Sequence, residues 1–168
     1  MKSAILLALA GALTASAQNP LSTDAKYFYN MVKAEVIRSA EKMPEENYSF
    51  KPTPEVRSFG QLVGHVADAQ YEFCAPVKGE KKESSVEKTA KTKADLVAGL
   101  KEAFSYCDAM YNSMTDANAA DKVKFFGREM TKMGVLTFNT VHSEEHYGNM
   151  VTYLRMKGLV PPSSENSR

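Results

Sequence analysis

Apolar residues recur at every third or fourth position in four stretches of the chain, and this is the period of an amphipathic α-helix. The stretches cover approximately residues 23–43, 58–76, 92–114 and 131–157. Pro44 follows the first stretch and stops a helix there, because proline lacks the backbone N–H that the next turn needs. The pattern therefore predicts four helices, each several turns long.

Local signals mark the ends of these helices. Ser58 and Gln61 form the S-x-x-Q pattern of a capping box, in which each side chain satisfies a backbone N–H of the other residue. Thr92 precedes a first turn that contains Asp95, and a negative charge is favourable at that end of a helix. Gly158 follows the last stretch, where a residue that is free to take a positive φ is favoured.

The connections indicate how the helices are arranged. Residues 44–58 contain several prolines and cannot form a regular helix. Residues 77–91 read VKGEKKESSVEKTAK, which predicts a charged, solvated connection that is longer than an antiparallel helix pair needs. Such a connection can cross the length of a bundle, which favours a parallel second and third helix. Residues 123–130, VKFFGREM, indicate a short extended segment. We therefore expect an all-α fold, a four-helix bundle with one long crossover connection.

The first residues of the chain have the features of a secretory signal peptide. Lys2 supplies a positive start, residues 4–13 are apolar, and residues 15–17 are a small-x-small cleavage site. The apolar run is shorter than the roughly 20 residues that span a bilayer, and a buried N-terminal helix is the alternative. We predict a signal peptide at residues 1–17, one bundle domain at residues 18–168, and an extracytoplasmic location, either periplasmic or secreted.

The charge and composition of the chain exclude some classes of binding partner. The formal net charge is +1, and lysine and glutamate alternate rather than forming a basic stripe, so we expect no nucleic acid or anionic membrane surface as a partner. No second long apolar stretch follows the predicted signal, and Gln18 rather than cysteine follows the predicted cleavage site. We therefore expect no membrane anchor, and the partner we expect is a small-molecule substrate.

Two cysteines, Cys74 and Cys107, lie at similar distances from the starts of the second and third helices. Parallel neighbouring helices would bring their thiols to the same height, where they could form a disulfide. Antiparallel helices would hold them too far apart. The long connection favours the parallel arrangement slightly, and two buried free thiols are an almost equal alternative.

The three histidines of the chain all fall on apolar helical faces. His142 and His146 are one turn apart on the fourth helix, and His65 occupies a similar position on the second. A single inward histidine is usually a structural residue, but burying imidazoles without partners costs on the order of a few kcal/mol each. Histidines at i and i+4 can converge on one ion, with a third from a neighbouring helix. We therefore interpret the three histidines as ligands of one metal. The face of the fourth helix that carries two of them also includes Val135, Phe138, Met150 and Tyr153.

The segment HSEEH at residues 142–146 also fits the H-x-x-E-H pattern of inverted zinc peptidases. That chemistry needs another acidic ligand well downstream, and only Glu165 remains, in a proline- and serine-rich tail. At about 100° per residue, Glu145 lies about 60° from the histidine stripe and Glu144 points to the opposite face. We therefore reject the peptidase interpretation and expect Glu144 to be solvated.

Two motifs resemble those of the DinB-like (DinB/YfiT) superfamily. The first is SFGQLVGHVADA at residues 58–69, and the second, within residues 131–163, combines H-x-x-x-H-Y-G with Y-L-R-x-x-G-x-V-P-P-S. The resemblance covers essentially the whole predicted mature chain. It implies a four-helix bundle, a metal held by His65, His142 and His146, and a homodimer. Some members of that superfamily are thiol-dependent transferases or isomerases, and many have no assigned activity.

A three-histidine metal with open positions activates water, binds a thiol as thiolate, or polarises a carbonyl. Asp68, Glu145 and Asn149 are the candidate catalytic side chains near the histidines. The alternative is a supporting or surface role for the two carboxylates and a polar core position for Asn149. The sequence leaves three functions open: a metal-dependent hydrolase of a small substrate, a thiol S-transferase, and a binding module without turnover. Export disfavours the transferase, because small cofactor thiols are kept reduced inside cells. Histidine ligands suit several divalent transition metals, namely zinc, nickel, iron, manganese and copper.

Overall fold

The computed structural model of the chain describes residues 18–165, and the predicted signal peptide at residues 1–17 lies outside the described residues. The described part contains five α-helices and one β-hairpin. The helices are α1 Pro20–Lys42, α2 Phe59–Lys78, α3 Val86–Thr89, α4 Lys93–Ser113 and α5 Lys132–Met156, and the strands are β1 Lys122–Phe125 and β2 Arg128–Thr131. No helix among these residues is both long enough and apolar enough to cross a membrane.

The four long helices form a bundle in which α2 and α1 each pack against both α4 and α5. Helices α2 and α5 are antiparallel: near the start of α2 the hydroxyl of Tyr153 donates to the carbonyl of Arg57, and further along the rings of Phe73 and Phe138 are in contact. Helices α2 and α4 are parallel, since Gly60 lies against Leu96 near both helix starts. The predicted four-helix bundle with one long crossover is confirmed.

Three of the four predicted helix starts are also confirmed, whereas α1 begins at Pro20, before the predicted start near Thr23. At Ser58 and Gln61, and again at Thr92 and Asp95, side chain and backbone bond reciprocally in a complete capping box. The side chain of Thr131 accepts a hydrogen bond from the backbone of Gly134 at the start of α5. Each cap satisfies N–H groups that the first turn leaves without partners.

The core lies between the four long helices and is rich in aromatic side chains. The ring of Tyr29 on α1 stacks on that of Tyr111 on α4 with centroids 3.7 Å apart. Phe104 and Leu136 are fully buried beside this pair, and Phe59 is fully buried between the rings of Tyr48 and Tyr153. Burying one such side chain stabilises the fold by roughly 1.5–3 kcal/mol, so the tertiary contacts contribute more than helix propensity does.

A disulfide joins Cys74 on α2 to Cys107 on α4, with Cα atoms 5.5 Å apart. Both residues are completely buried. The parallel arrangement is therefore the one that occurs, and the alternative of two free thiols is wrong. The bond links α2 to α4 covalently and closes a loop that contains the whole crossover connection.

The crossover differs from the solvated loop that its charges predict. It contains the short helix α3, and Asp68 on α2 accepts hydrogen bonds from the backbone N–H groups of Val86 and Glu87. These contacts hold the connection against the bundle. Helix α2 also continues past Pro76 to Lys78, and the N–H of Gly79, which has a positive φ, closes its last turn on the carbonyl groups of Ala75 and Pro76.

The predicted extended segment is a hairpin, in which β1 and β2 pair in antiparallel register from Lys122 opposite Thr131 to Phe125 opposite Arg128. Phe126 and Gly127 form the two-residue turn, with φ of 45° and 75°. A tight hairpin turn of this kind needs positive φ at both positions. Glycine adopts it freely, whereas a phenylalanine there is strained.

Candidate metal centre

The antiparallel packing of α2 on α5 brings the three histidines together. The ring centroids of His65 and His146 are 4.8 Å apart, those of His65 and His142 are 5.2 Å apart, and those of His142 and His146 are 4.4 Å apart. One nitrogen from each ring lies within 4.8 Å of the others. The Nε2 atoms of His142 and His146 face each other at 3.1 Å. The three residues predicted to act together therefore form one cluster.

The cluster lies at the seam between α2 and α5 rather than in the centre of the core. His146 is buried, whereas His65 and His142 are only half-buried, so the prediction that all three face the core is correct for His146 alone. Val135, Met150 and Tyr153 of the predicted inward stripe are buried, as predicted. Asn139 and Ser143, which the stripe did not include, are fully buried as well. Phe138, predicted on the inward stripe, is 40% exposed. The seam position leaves the cluster open to a ligand.

Burial lowers the pKa of all three imidazoles. The pKa falls to about 4 for His142 and to about 3 for His146, mainly through desolvation, with further contributions from the neighbouring histidines and from Arg57. Desolvation and Arg57 also lower the pKa of His65. Three carboxylates oppose that shift without cancelling it, namely Glu87, Asp68 and Glu145. The three rings are neutral near pH 7, and neutral imidazole is the form that binds a metal.

The Nδ1 atoms of the rings have different surroundings. That of His146 lies 3.4 Å from the side-chain nitrogen of Asn149. That of His65 lies 3.7 Å from a carboxylate oxygen of Glu87. That of His142 is buried and has no hydrogen-bond partner among the described residues.

The donor set fits a divalent transition metal. Two nitrogens bound to one ion at about 2.0–2.1 Å lie about 3.0–3.4 Å apart, and the 3.1 Å between the two Nε2 atoms of α5 agrees with that spacing. Three neutral imidazoles without a carboxylate in the cluster suit zinc, nickel, iron or copper better than magnesium or calcium, which prefer oxygen ligands.

The three candidate catalytic side chains, Asp68, Glu145 and Asn149, have different surroundings in the structure. The carboxylate of Asp68 accepts hydrogen bonds from the crossover, including one from the hydroxyl of Ser84 at 2.6 Å, so it is occupied by a structural contact. Glu145 is exposed and acts on His65 only through its charge. Asn149 is the candidate that lies against a histidine. Glu144 is exposed, as predicted.

A groove of about 650 Å³ opens beside the cluster. His146 and Asn149 form part of its wall, and Lys51, Arg57 and Gln61 add polar groups from the first interhelical loop and the start of α2. Arg57 and Glu87, which form an ion pair here with Nε to Oε1 at 3.0 Å, were not among the predicted site residues. No sequence pattern links them to the histidines. The packing of α3 on α2 brings Glu87 close, and the contact of Tyr153 with the loop before α2 helps to place Arg57.

Aromatic side chains form the opposite side of the cluster. The ring of His142 contacts Phe73 edge to face, with centroids 5.0 Å apart, and lies beside Phe138. Phe125 and Phe126 of the hairpin extend this group. The histidines therefore have a polar groove on one side and an apolar wall on the other.

Sequence and structure comparisons agree on the relatives of this chain. The sequence profile of the DinB superfamily matches residues 30–150. An uncharacterized protein of Bacillus subtilis (strain 168), YjoA, is 27% identical over 122 residues, which cover 71% of this chain and 79% of YjoA. Its crystal structure superposes with a TM-score of 0.62 over 83% of this chain and 92% of that one, at 23% identity.

Two further solved structures share the fold. A DinB-like protein from Bacillus cereus ATCC 10987 has a TM-score of 0.73 at 17% identity and covers 83% of this chain and 95% of its own. A mycothiol-dependent maleylpyruvate isomerase has a TM-score of 0.66 at 12% identity and covers 77% of this chain and 60% of its own. Because the matching profile spans most of the bundle, including all three histidines, the chain belongs to the DinB superfamily.

Proposed function

We propose that the protein binds one divalent transition metal through His65, His142 and His146. The observation that carries the proposal is the convergence of three neutral ring nitrogens, one from α2 and two from α5, within 4.8 Å of one another. A metal held in this way supplies Lewis acidity, which activates water or a thiol towards a substrate.

The activity we propose is metal-dependent hydrolysis of a small substrate bound in the groove beside His146. The groove has the volume of a small-molecule site and polar groups on several sides. Asn149 can orient a substrate there, because it lines the groove and its side-chain nitrogen lies 3.4 Å from Nδ1 of His146. The Tyr153 hydroxyl bonds the carbonyl of Arg57 and thereby fixes the loop that closes one side of the groove.

Thiol-dependent transfer is the second candidate. The fold likeness to a mycothiol-dependent isomerase favours it. Among residues 18–165, the carboxylates near the cluster are poorly placed to act as a general base. Asp68 is bonded to the crossover, Glu87 is paired with Arg57, and Glu145 is exposed. A thiol needs less help of this kind than water, because its pKa is lower. A binding bundle without turnover is the third alternative.

The first experiment is metal analysis of the full-length protein purified without a histidine tag. We expect one transition-metal ion per chain, and its loss in His65→Ala and His146→Ala, because each variant removes one of three ligands. Asn112→Ala, an exposed change on α4, serves as the control and should keep its metal. A parent protein that stays metal-free after incubation with zinc and with nickel would contradict the proposal.

Activity assays on the metal-loaded form then separate the three functions. Turnover of ester or amide substrates without added thiol supports the hydrolase. Turnover only with a small thiol supports the transferase. Metal binding without turnover of any substrate, in the presence or the absence of a thiol, supports the binding module.

We also propose that the protein is exported and forms a homodimer. The features of residues 1–17 support export, and so does the buried disulfide, since disulfides persist mainly in oxidising compartments. Exposed apolar side chains on α1, namely Leu21, Tyr27, Phe28 and Met31, support self-association. Sedimentation equilibrium measures the mass directly, and a monomer at all concentrations would contradict the dimer.

A further inference from the structure

The short helix α3 packs directly on the backbone of α2 at Gly64. A Cβ at this position would lie 2.5 Å from the Cα of Glu87 and 2.8 Å from its nitrogen, closer than real Cβ atoms approach. On the other side, a Cβ at Gly99 of α4 would lie 2.9 Å from a methyl group of Val86. Two glycines therefore form the notch in which α3 sits.

Asp68, one turn after Gly64, fixes the start of α3. Its carboxylate accepts hydrogen bonds from the hydroxyl of Ser84 at 2.6 Å and from the N–H groups of Val86 at 2.7 Å and Glu87 at 3.1 Å. Together with the backbone contact at Gly64, these bonds determine both the position of α3 and the direction in which the Glu87 side chain leaves it.

Glu87 is thereby held between two groups. One carboxylate oxygen lies 3.7 Å from Nδ1 of His65, the residue after Gly64. The other oxygen accepts a hydrogen bond from Nε of Arg57 at 3.0 Å. Its carboxylate is not one of the groups that converge with the histidine nitrogens, so its position suits a role behind the ring rather than a role as a ligand.

We propose that Glu87 is a positioning residue for His65, and that its carboxylate keeps the proton of the neutral ring on Nδ1 and leaves Nε2 free for a metal. A negative charge favours the proton on the nitrogen that faces it. Histidines that bind metals commonly direct their other N–H at a carboxylate, which fixes the ring orientation. The tautomer is a property of the protein without metal, whereas the effect on metal affinity rests on the proposed function.

The decisive measurement is long-range ¹H–¹⁵N NMR of the imidazole rings in the metal-free full-length protein near neutral pH, with signals assigned through the three single histidine-to-alanine variants. We expect mainly the Nδ1–H form for His65 in the parent, and a shift towards the Nε2–H form in Glu87→Ala. Glu83→Ala is the matched control, because Glu83 is exposed on the same connection and has no ion pair or hydrogen bond among the described residues. An Nε2–H form in the parent, or an unchanged tautomer in Glu87→Ala, overturns the inference.

Gly64→Ala tests the placement of Glu87 without changing its charge. The added methyl group must displace α3, so we expect the Nδ1–H fraction of His65 to fall even though Glu87 is present. Gly148→Ala, where a Cβ meets nothing within 4 Å, is the control for a glycine replaced within a helix. An unchanged tautomer in a folded Gly64→Ala protein contradicts the role assigned to α3.

Zinc titration in competition with a chelator measures the consequence for metal binding. We expect Glu87→Ala to weaken the affinity by about 10–100-fold, the range found when such outer carboxylates are removed, and Glu83→Ala to leave it unchanged. If the parent binds no zinc, the proposed metal function fails, while the NMR result still decides whether Glu87 sets the tautomer of His65.

Discussion

At the scale of single residues, the histidine cluster makes stability depend on pH in a defined direction. The pKa values of His142 and His146 fall to about 4 and about 3 in the folded protein, below the value of about 6.5 for an unfolded chain. At pH values between the folded and the unfolded pKa, the unfolded state binds more protons than the folded state does. The free energy of unfolding therefore decreases as the pH is lowered from about 7 towards 4, and this contribution is fully present above the unfolded pKa.

We expect urea denaturation of the chelator-treated protein to show this decrease between pH 6.5 and about 5, a window in which most carboxylates stay ionised. The double variant His142→Ala/His146→Ala should show a shallower dependence in the same window, because it lacks both groups. Equal slopes in the parent and the variant would contradict the assignment.

Asn139 illustrates a residue whose importance only packing reveals. It is completely buried, and its side-chain nitrogen donates to the side-chain oxygen of Gln70 at 3.0 Å and approaches the hydroxyl of Tyr111 at 3.2 Å. Gln70 in turn donates to the hydroxyl of Ser143 at 3.0 Å. A polar chain thus crosses the core next to the disulfide.

Removing Asn139 leaves the Gln70 oxygen buried without this donor. We expect Asn139→Ala to lower the free energy of unfolding by about 1–3 kcal/mol, measured by urea denaturation. Thr137→Ala, an exposed change on the same helix, should alter it by less than about 0.5 kcal/mol. If Asn139→Ala and Thr137→Ala change the free energy of unfolding by the same amount, the hydrogen bonds of Asn139 do not contribute to stability.

At the scale of elements, the disulfide between the parallel helices α2 and α4 makes a measurable contribution to stability. It closes a sequence separation of 33 residues that contains the whole crossover. We expect the double variant Cys74→Ala/Cys107→Ala to lose about 3–4 kcal/mol of unfolding free energy, by the loop-entropy estimate. The parent measured with and without a reductant is the matched comparison, and an undiminished stability after reduction in denaturant would contradict the estimate.

The long elements were predictable because their signals are local. Hydrophobic periodicity located the four long helices, and the caps at Ser58 and Thr92 fixed two of their starts. The short helix α3 was missed because its four residues include a single apolar side chain and therefore show no apolar period. It is stabilised by Asp68 and Gly64, which lie on another helix, and no local pattern encodes that contact.

At the scale of the whole molecule, export stays a prediction, and fractionation of the producing cells tests it. We expect the mature protein outside the cytoplasm with Gln18 at its N-terminus. Ala17→Arg should block processing, because signal cleavage requires a small residue there. An unprocessed parent protein in the cytoplasm would contradict the prediction.

The sequence by itself determined the fold class, the four long helices and the choice of the three histidines as candidate ligands, because hydrophobic period, capping residues and residue type are local properties of the chain. Only the tertiary structure decided that the histidines lie at a half-open seam, that Cys74 and Cys107 are joined, and that Asp68 supports the crossover instead of the cluster. It also brought Glu87 and Arg57 to His65. These outcomes depend on which helices pack together and at what height, and such long-range contacts follow from the packing of the whole core.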